Sequence, residues 1–315
     1  MAQAGLEPGS GESGRPRPGS AAPPPGAGAV LLCLGGWNSI SGLHPADFLG
    51  PLAMKSSEAE PLRIEAYASE FIGTYFLVLT IGLNVLQRIA LAPISIGFIL
   101  MAFIFATGKV SGGHFNPAVT LGVLICRPGL LLRDGLLYVV AQLAGAVAAG
   151  LTYTAMLGAT FSLKPGAGYT MEDAMLAEAL FTVALVFVVL SVATTGSNQY
   201  FGLSIGFTVT AAAFSVGRVS GASLNPAVAF GVIGSHWLHM GGGLEQLVPY
   251  TLGPLLGALV AAVLFRIVRA GHYGPQGQAL DEEERLLKEP SRTYSGRAPG
   301  SPGTPTSQAT SPGSR

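Results

Sequence analysis

Cysteine and charge are both scarce in this sequence. Only 2 of its 315 residues are cysteine, Cys33 and Cys126, which excludes a disulfide framework, and neither belongs to a CxxC or Cys/His pattern typical of a metal site. Charged residues make up 11% of the chain, against about 25% in a soluble domain. With 17 basic and 17 acidic side chains, no excess charge favours nucleic acid. The sequence predicts no metal, no cofactor and no nucleic-acid partner.

Long apolar runs are what the sequence has instead. Hydrophobic residues make up 49% of the chain, and charges are sparse through its middle. A helix of about 20 apolar residues crosses the roughly 30 Å hydrocarbon core of a bilayer. Stretches of about this length lie at 67–87, 90–108, 134–157, 174–195, 200–217 and 247–268. They predict an all-α membrane protein with six transmembrane helices.

The two ends of the chain differ from the middle in composition. Residues 1–62 begin with a run rich in proline, glycine and serine, and residues 272–315 end in a similar one. Such segments bury too little apolar surface to offset the entropy lost on ordering. We therefore expect two disordered tails around a single membrane domain at 63–271.

An internal repeat organises that domain. The segment SGGHFNPAVTLG at 111–122 returns as SGASLNPAVAFG at 220–231. Around these segments we place repeat one at about 66–157 and repeat two at about 172–270, each with three of the spans. Because three is an odd number, the second repeat must enter the membrane inverted, as in many transport folds.

Each repeat also holds an apolar segment too short to span a bilayer, at 117–125 and at 226–234. Both follow an Asn-Pro-Ala box, and asparagine before proline is a strong helix-start signal. Since irregular backbone within a membrane must be buried in protein or line a wet cavity, we expect two re-entrant half-helices. The boxes are Asn116, Pro117, Ala118, Asn225, Pro226 and Ala227.

Half-helices from opposite faces would bring their positive N-terminal ends together. The amides of Asn116 and Asn225 could then donate to one water, which would be unable to pass a proton along the file. This arrangement predicts selective passage, with no bond made or broken, and therefore a channel rather than an enzyme. Glycine before each box can turn carbonyl oxygens toward the pore, and the predicted contributors of backbone are Gly112, Gly113, His114, Gly221 and Ser223.

Together these motifs resemble the aquaporin, or major intrinsic protein, family over residues 66–270. The resemblance rests on the two boxes, on Glu70 and Glu178, on AQLAGA at 141–146 and on GPLLGA at 253–258. The second box is especially similar to that of the tonoplast intrinsic proteins. The resemblance implies an aquaporin-like inverted-repeat fold, a homotetramer with one pore per subunit, and a loop-anchoring role for both glutamates.

The chain departs from the family at the outer constriction. Most members have arginine after the second box, where this sequence has Val228. The family pattern gives Ile96, Ala213 and Ala222 as the other constriction residues. Because all four are apolar, and a guanidinium would supply both charge and a fork of donors, we expect a wide, weakly polar filter. It would pass water and small neutral solutes, with glycerol, urea and ammonia as candidates.

Basic residues near the spans predict the orientation through the positive-inside rule. Lys109, Arg127, Arg133, Arg266 and Arg269 fall on one side, and Arg88, Lys164 and Arg218 on the other. This distribution favours cytosolic termini, with the plasma membrane and a vacuole-like or endolysosome-like membrane as alternatives. Two other functions stay open on this fold: a secondary transporter, which needs ionisable residues facing the lumen, and a structural membrane protein, which would conduct no water.

Overall fold

The computed structural model describes residues 61–127, 129–194 and 199–269. Apart from residues 61 and 62, the two expected tails lie outside this part of the chain. All regular secondary structure in the described residues is helical. The expected all-α class is therefore confirmed for the membrane domain.

Eight α-helices follow one another in the described residues, four in each repeat. The first repeat contains α1 (Ile64–Leu86), α2 (Ala92–Thr107), α3 (Pro117–Cys126) and α4 (Leu132–Leu157). The second contains α5 (Met171–Thr194), α6 (Phe201–Val216), α7 (Pro226–Met240) and α8 (Leu247–Val268), with a 3₁₀ turn at Leu244–Gln246 before α8. Both repeats thus have the order long helix, shorter helix, half-helix, long helix.

The spans differ in length. By length and composition, α1, α4, α5 and α8 can each cross a membrane. The helices α2 and α6 have 16 residues each, or about 24 Å, and lie inside the predicted spans 90–108 and 200–217. Hydrogen-bonded turns extend both helices, because Ser111 N donates to Thr107 O and Ser220 N donates to Val216 O. The extra turn brings the chain to each loop that precedes a half-helix.

The two repeats meet where α2 crosses α6. A Cβ added at Gly97 would lie 2.6 Å from the carbonyl oxygen of Gly206, and one added at Gly206 would lie 2.7 Å from that of Gly97. Only glycine permits so close an approach of two backbones. Because the repeat offset that relates Asn116 to Asn225 also relates these two glycines, the pseudo-twofold axis passes between them.

The long helices of each repeat are also packed through glycine. A Cβ at Gly145 of α4 would lie 2.4 Å from the carbonyl oxygen of Phe71 in α1, and one at Gly257 of α8 would lie 2.4 Å from that of Ala179 in α5. The AQLAGA and GPLLGA motifs therefore serve helix packing. Beyond these pairs, α4 packs against α7 and α8 packs against α3, so each half-helix rests on a long helix of the other repeat.

The surface and the interior suit a bilayer. Large apolar side chains point outward along the helices, with Val140 of α4 63% exposed and Leu176 of α5 58% exposed. Two carboxylates, Glu70 and Glu178, are instead fully buried. This pattern is expected of a helical bundle in lipid, where the polar groups must find partners inside the protein.

Candidate functional site

The two Asn-Pro-Ala boxes form the starts of the half-helices. Asn116 has extended backbone, and its side-chain oxygen accepts a hydrogen bond from Ala118 N at 2.8 Å. Asn225 repeats this geometry with Ala227 N at 2.9 Å. Proline takes the first helical position in both half-helices, where its missing N–H is not needed. The hydrogen bond within each box thus makes its asparagine the N-cap of a half-helix.

The two boxes are also joined to each other. The side-chain nitrogen of Asn116 donates to the carbonyl oxygen of Leu224 at 2.9 Å, and that of Asn225 donates to the carbonyl oxygen of Phe115 at 2.8 Å. A side-chain amide has two N–H donors, so each asparagine keeps a second one. Since both residues line the same cavity, that second donor is available to a molecule inside it.

Glu70 holds the loop that leads to the first box. Its Oε1 accepts from Ser111 Oγ at 2.6 Å and from His114 N at 2.9 Å, while Oε2 accepts from Phe115 N at 2.7 Å and from Gln142 Nε2 at 2.8 Å. Four donors satisfy a carboxylate that is fully buried on α1. Such charge-assisted bonds are strong, and they offset the cost of burial.

Glu178 does the same for the second loop. It accepts hydrogen bonds from Ser220 Oγ at 2.7 Å and from Ser223 N at 2.9 Å, and further bonds from Ser223 Oγ and Leu224 N. The Ser223 hydroxyl supplies the fourth bond that Gln142 supplies to Glu70. Neither glutamate lines the cavity, so their position is behind the loops.

Two tyrosines that the sequence reasoning missed complete the loops. Tyr138 Oη donates to the carbonyl oxygen of Ser111 at 2.8 Å, and Tyr250 Oη donates to that of Ser220 at 2.5 Å. Between these bonds and those of the asparagines lie residues 112–114 and 221–223. In the described chain no protein donor reaches the carbonyl oxygens of these two runs, so they remain open to another molecule.

The predicted contributors of backbone divide into two groups. Gly113, His114 and Ser223 line the cavity, whereas Gly112 and Gly221 do not. The two excluded glycines have the same left-handed backbone, with φ of +97° each, a conformation that glycine adopts without strain. Their role is therefore to turn the chain so that the next residues face the cavity.

The cavity runs between the repeats and contains both box asparagines. The space open to the centre of a water-sized sphere is about 40 Å³, and roughly 10–15 Å³ suffices for one water. Because the repeats are inverted, the loop with His114 and the loop with Ser223 leave the asparagines toward opposite ends. The helix side chains on the wall are all aliphatic: Leu77, Ile81, Ile96, Leu100, Ile104, Leu185, Val189, Ile205 and Val209.

Three of the four predicted constriction residues lie on this wall. Ile96, Ala222 and Val228 line the cavity, but Ala213 does not. On α6 the wall is formed by Ile205 and Val209, and Val209 lies one turn before Ala213 on the same helix face. Ala213 lies one turn nearer the helix end and has a shorter side chain than the valine, and its place in a constriction stays a prediction.

Comparisons with known proteins agree with this geometry. The family model described as Major intrinsic protein matches residues 54–265. Aquaporin AqpM from Methanothermobacter thermautotrophicus is 33% identical over 63% of this chain and 94% of its own length. Nodulin-26 from Glycine max is 33% identical over 65% of this chain and 78% of its own length. Glycerol uptake facilitator protein-like 6 from Lactiplantibacillus plantarum is 34% identical over 64% and 97%.

The fold has a counterpart among solved structures. The X-ray structure of the aquaglyceroporin from Plasmodium falciparum aligns with a TM-score of 0.57 and 20% identity, covering 65% of this chain and 96% of that one. None of the relatives named here is a tonoplast intrinsic protein, so they support the family without that particular likeness. The chain belongs to the major intrinsic protein family and is a membrane channel for water and small solutes rather than an enzyme.

Proposed function

We propose that the cavity is a passive pore for water and small uncharged solutes, with glycerol and urea as solutes and ammonia as a further candidate, and that it excludes protons and ions. One observation carries this proposal. The second amide donors of Asn116 and Asn225 are at one level of a narrow aliphatic cavity, with unpaired loop carbonyls on either side.

The asparagine pair supports proton exclusion. A water that accepts from both Asn116 and Asn225 has its lone pairs occupied and must point its hydrogens away, toward the carbonyls at the two ends. Such a water cannot accept a proton from a neighbour in the file. The N-terminal ends of α3 and α7 add a positive potential of roughly half a charge each, which opposes cations.

The apolar constriction supports passage of solutes beyond water. Val228 is 1% exposed on the wall, where an arginine would supply charge and donors. Ile96 and Ala222 add no polar side chain beside it. A relative named as a glycerol uptake facilitator, 34% identical to this chain, is consistent with glycerol as a solute.

Passive flow is favoured over coupled transport. The buried carboxylates Glu70 and Glu178 are occupied by loop donors and do not line the cavity. His114 does line it, but its ring is held in place by Thr120 Oγ1 at 3.2 Å from Nδ1. A secondary transporter requires ionisable groups that load and unload in the lumen, and the wall of the cavity offers no carboxylate for this.

The assembly and orientation are part of the same proposal. A homotetramer with one pore per subunit follows from the family resemblance, and cytosolic termini follow from the distribution of basic residues. Tails at 1–62 and 272–315 would then both lie in the cytosol. Native mass measurement in mild detergent tests the tetramer, and protease access to the tails in oriented vesicles tests the orientation.

Permeability measurements on liposomes that contain the purified chain test the function. Stopped-flow light scattering should show water, glycerol, urea and ammonia fluxes above those of protein-free liposomes. A pH dye inside the vesicles, with valinomycin to clamp the potential, should show no added proton leak. A water permeability equal to that of protein-free liposomes would contradict the proposal and favour a structural membrane protein.

A further inference from the structure

The repeat relates the predicted constriction to a second ring on the other side of the asparagines. We call the first the Val228 ring and its counterpart the Val119 ring. The number of residues that separates Asn116 from Asn225 also separates each member of one ring from its counterpart in the other. The pairs are Val228 with Val119, Ala222 with Gly113, Ile96 with Ile205, and Ala213 with Ile104.

The Val119 ring is complete in the cavity, whereas the Val228 ring is not. Val119, Gly113, Ile205 and Ile104 all line the wall. Of the Val228 ring, Ala213 is missing from it. The difference arises at this one pair, where a branched four-carbon side chain on α2 corresponds to a methyl group on α6.

Ile104 also packs closely against the first loop. A Cβ built on Gly113 would be 3.3 Å from Ile104 Cα and 3.5 Å from its Cγ1. Ordinary contacts of this kind begin at about 3.4 Å, and Gly113 has a φ of +65°, so a larger residue would strain the backbone and push the loop and Ile104 slightly apart. The Val119 ring is therefore a point where α2 and the first loop are in direct contact.

Solvent reaches the two rings to different extents. Three pairs differ: Ile104, Gly113 and Ile205 are buried, while their counterparts Ala213, Ala222 and Ile96 are partly exposed. At the fourth pair, Val119 and Val228 are both buried.

The neighbouring loop residues follow the same trend, since His114 is buried and Ser223 is partly exposed. The imidazole of His114 is fixed by Thr120 and lies edge-on to the Tyr138 ring at 5.4 Å. It therefore stays in the wall and narrows the end of the cavity that contains the Val119 ring.

We infer that the Val119 ring, with Ile104 and Ile205 as its largest side chains, sets the size limit for solutes in this channel. The inference rests on the proposed function, and it names the residues that decide which neutral solutes pass. The Val228 ring, which lacks the family arginine, is the wider of the two. A solute such as glycerol that enters past the Val228 ring meets its main barrier after the asparagines. A solute that enters from the opposite end meets the same barrier before them.

The physical basis is the shape of the ring. Three of its residues have aliphatic side chains and Gly113 has none, so a solute gains no side-chain hydrogen bond there. The solute must fit between α2, α6 and the loop. Water needs only the carbonyl oxygens of the loop and the width of one molecule. Enlarging the ring should therefore change glycerol and urea flux far more than water flux.

Variants that enlarge one ring or the other test this inference. Ile104→Ala should raise glycerol and urea permeability several-fold in liposomes, with water permeability within about twofold of wild type. Its matched control is Ile72→Ala, which removes the same atoms from the exposed face of α1, away from the cavity, and should leave both fluxes unchanged. Ile205→Ala provides a second enlargement of the Val119 ring if Ile104→Ala does not purify as a folded protein.

Failure of the ring assignment and failure of the proposed function give different results. Wild-type channels that conduct water, combined with glycerol and urea fluxes that neither Ile104→Ala nor Ile205→Ala increases, would overturn the ring assignment alone. A rise of glycerol flux in Val228→Ala as large as that in Ile104→Ala would also overturn it, since the Val228 ring would then limit the wild-type channel. Wild-type liposomes without water conduction would instead contradict the proposed function.

Discussion

Arg266 donates a hydrogen bond from Nη2 to the carbonyl oxygen of Ile125 at 2.6 Å. This contact joins the last turn of α8 to the last turn of the half-helix α3, whose final carbonyls have no partners within the helix. The arginine is 8% exposed. A buried cation at a helix C-terminus is favourable both as a donor and through the helix dipole.

We therefore expect Arg266→Met to lower the free energy of unfolding by about 1–3 kcal/mol, because it leaves a buried carbonyl unpaired. Arg266→Gln, which retains an N–H donor without the charge, should fall between this variant and wild type. Circular dichroism melting in detergent micelles measures the order. Lys109→Met removes an exposed cation and should melt like wild type. Equal melting of Arg266→Met and wild type would contradict the role of this contact.

A second prediction concerns the carboxylate of Glu70. Glu70→Gln leaves one acceptor oxygen where four donors converge, and each buried donor left unpaired costs about 1–3 kcal/mol. Water permeability per folded channel should fall toward that of protein-free liposomes, because the first loop is no longer held. Glu65→Gln changes an exposed acid on the same helix and should conduct normally. Full conduction by Glu70→Gln would show that the loop is held by other contacts.

A third prediction concerns charge at the centre of the cavity. Asn225→Asp retains the cap to Ala227 N but replaces the amide donors by a negative charge beside the positive ends of α3 and α7. Proton or cation leak should rise by about tenfold or more, since offsetting roughly 1.4 kcal/mol of barrier suffices for that factor. A pH dye in potential-clamped liposomes measures it. Asn84→Asp, outside the cavity, should add no leak. An equal leak in both variants would show that the asparagine pair does not account for the exclusion of protons and cations.

A fourth prediction concerns the missing arginine. Val228→Arg should lower glycerol and urea fluxes strongly, because a guanidinium adds bulk and fixed charge to the Val228 ring. Water flux should persist, since the new donors can hydrogen-bond to water. Val228→Met adds length without charge and separates the two effects. Solute fluxes that stay the same in Val228→Arg would remove the basis for a broad solute range.

The helix starts were predictable from the sequence because capping is local. Asn116 and Asn225 carry the signal within three residues, and the observed half-helices begin at the expected prolines. The anchoring of loops by Glu70 and Glu178 followed from family resemblance. Both glutamates do accept hydrogen bonds from the loops.

The residues that were missed act across long separations. Tyr138 and Tyr250 donate to loop carbonyls 27 and 30 positions away. Gln142 donates to the Glu70 carboxylate, 72 positions away, and no spacing rule relates a helix side chain to such a partner. The place of Ala213 relative to the cavity was hard to predict for a related reason. Counting along the chain fixes a residue on a helix face, but the packing of α6 against α2 decides which turn of that face reaches the cavity.

The contact of Gly97 with Gly206 has the form of an isologous interface, in which each side presents the same surface to the other. In a true homodimer one codon would specify both sides, and every substitution would occur twice. Here the two sides are specified separately within one chain. Fusion of the halves preserves the shared axis while each half can vary alone, and Ile104 opposite Ala213 is such a difference. A covalently joined pair can thus have two unlike mouths, which a symmetric assembly of half-length chains cannot.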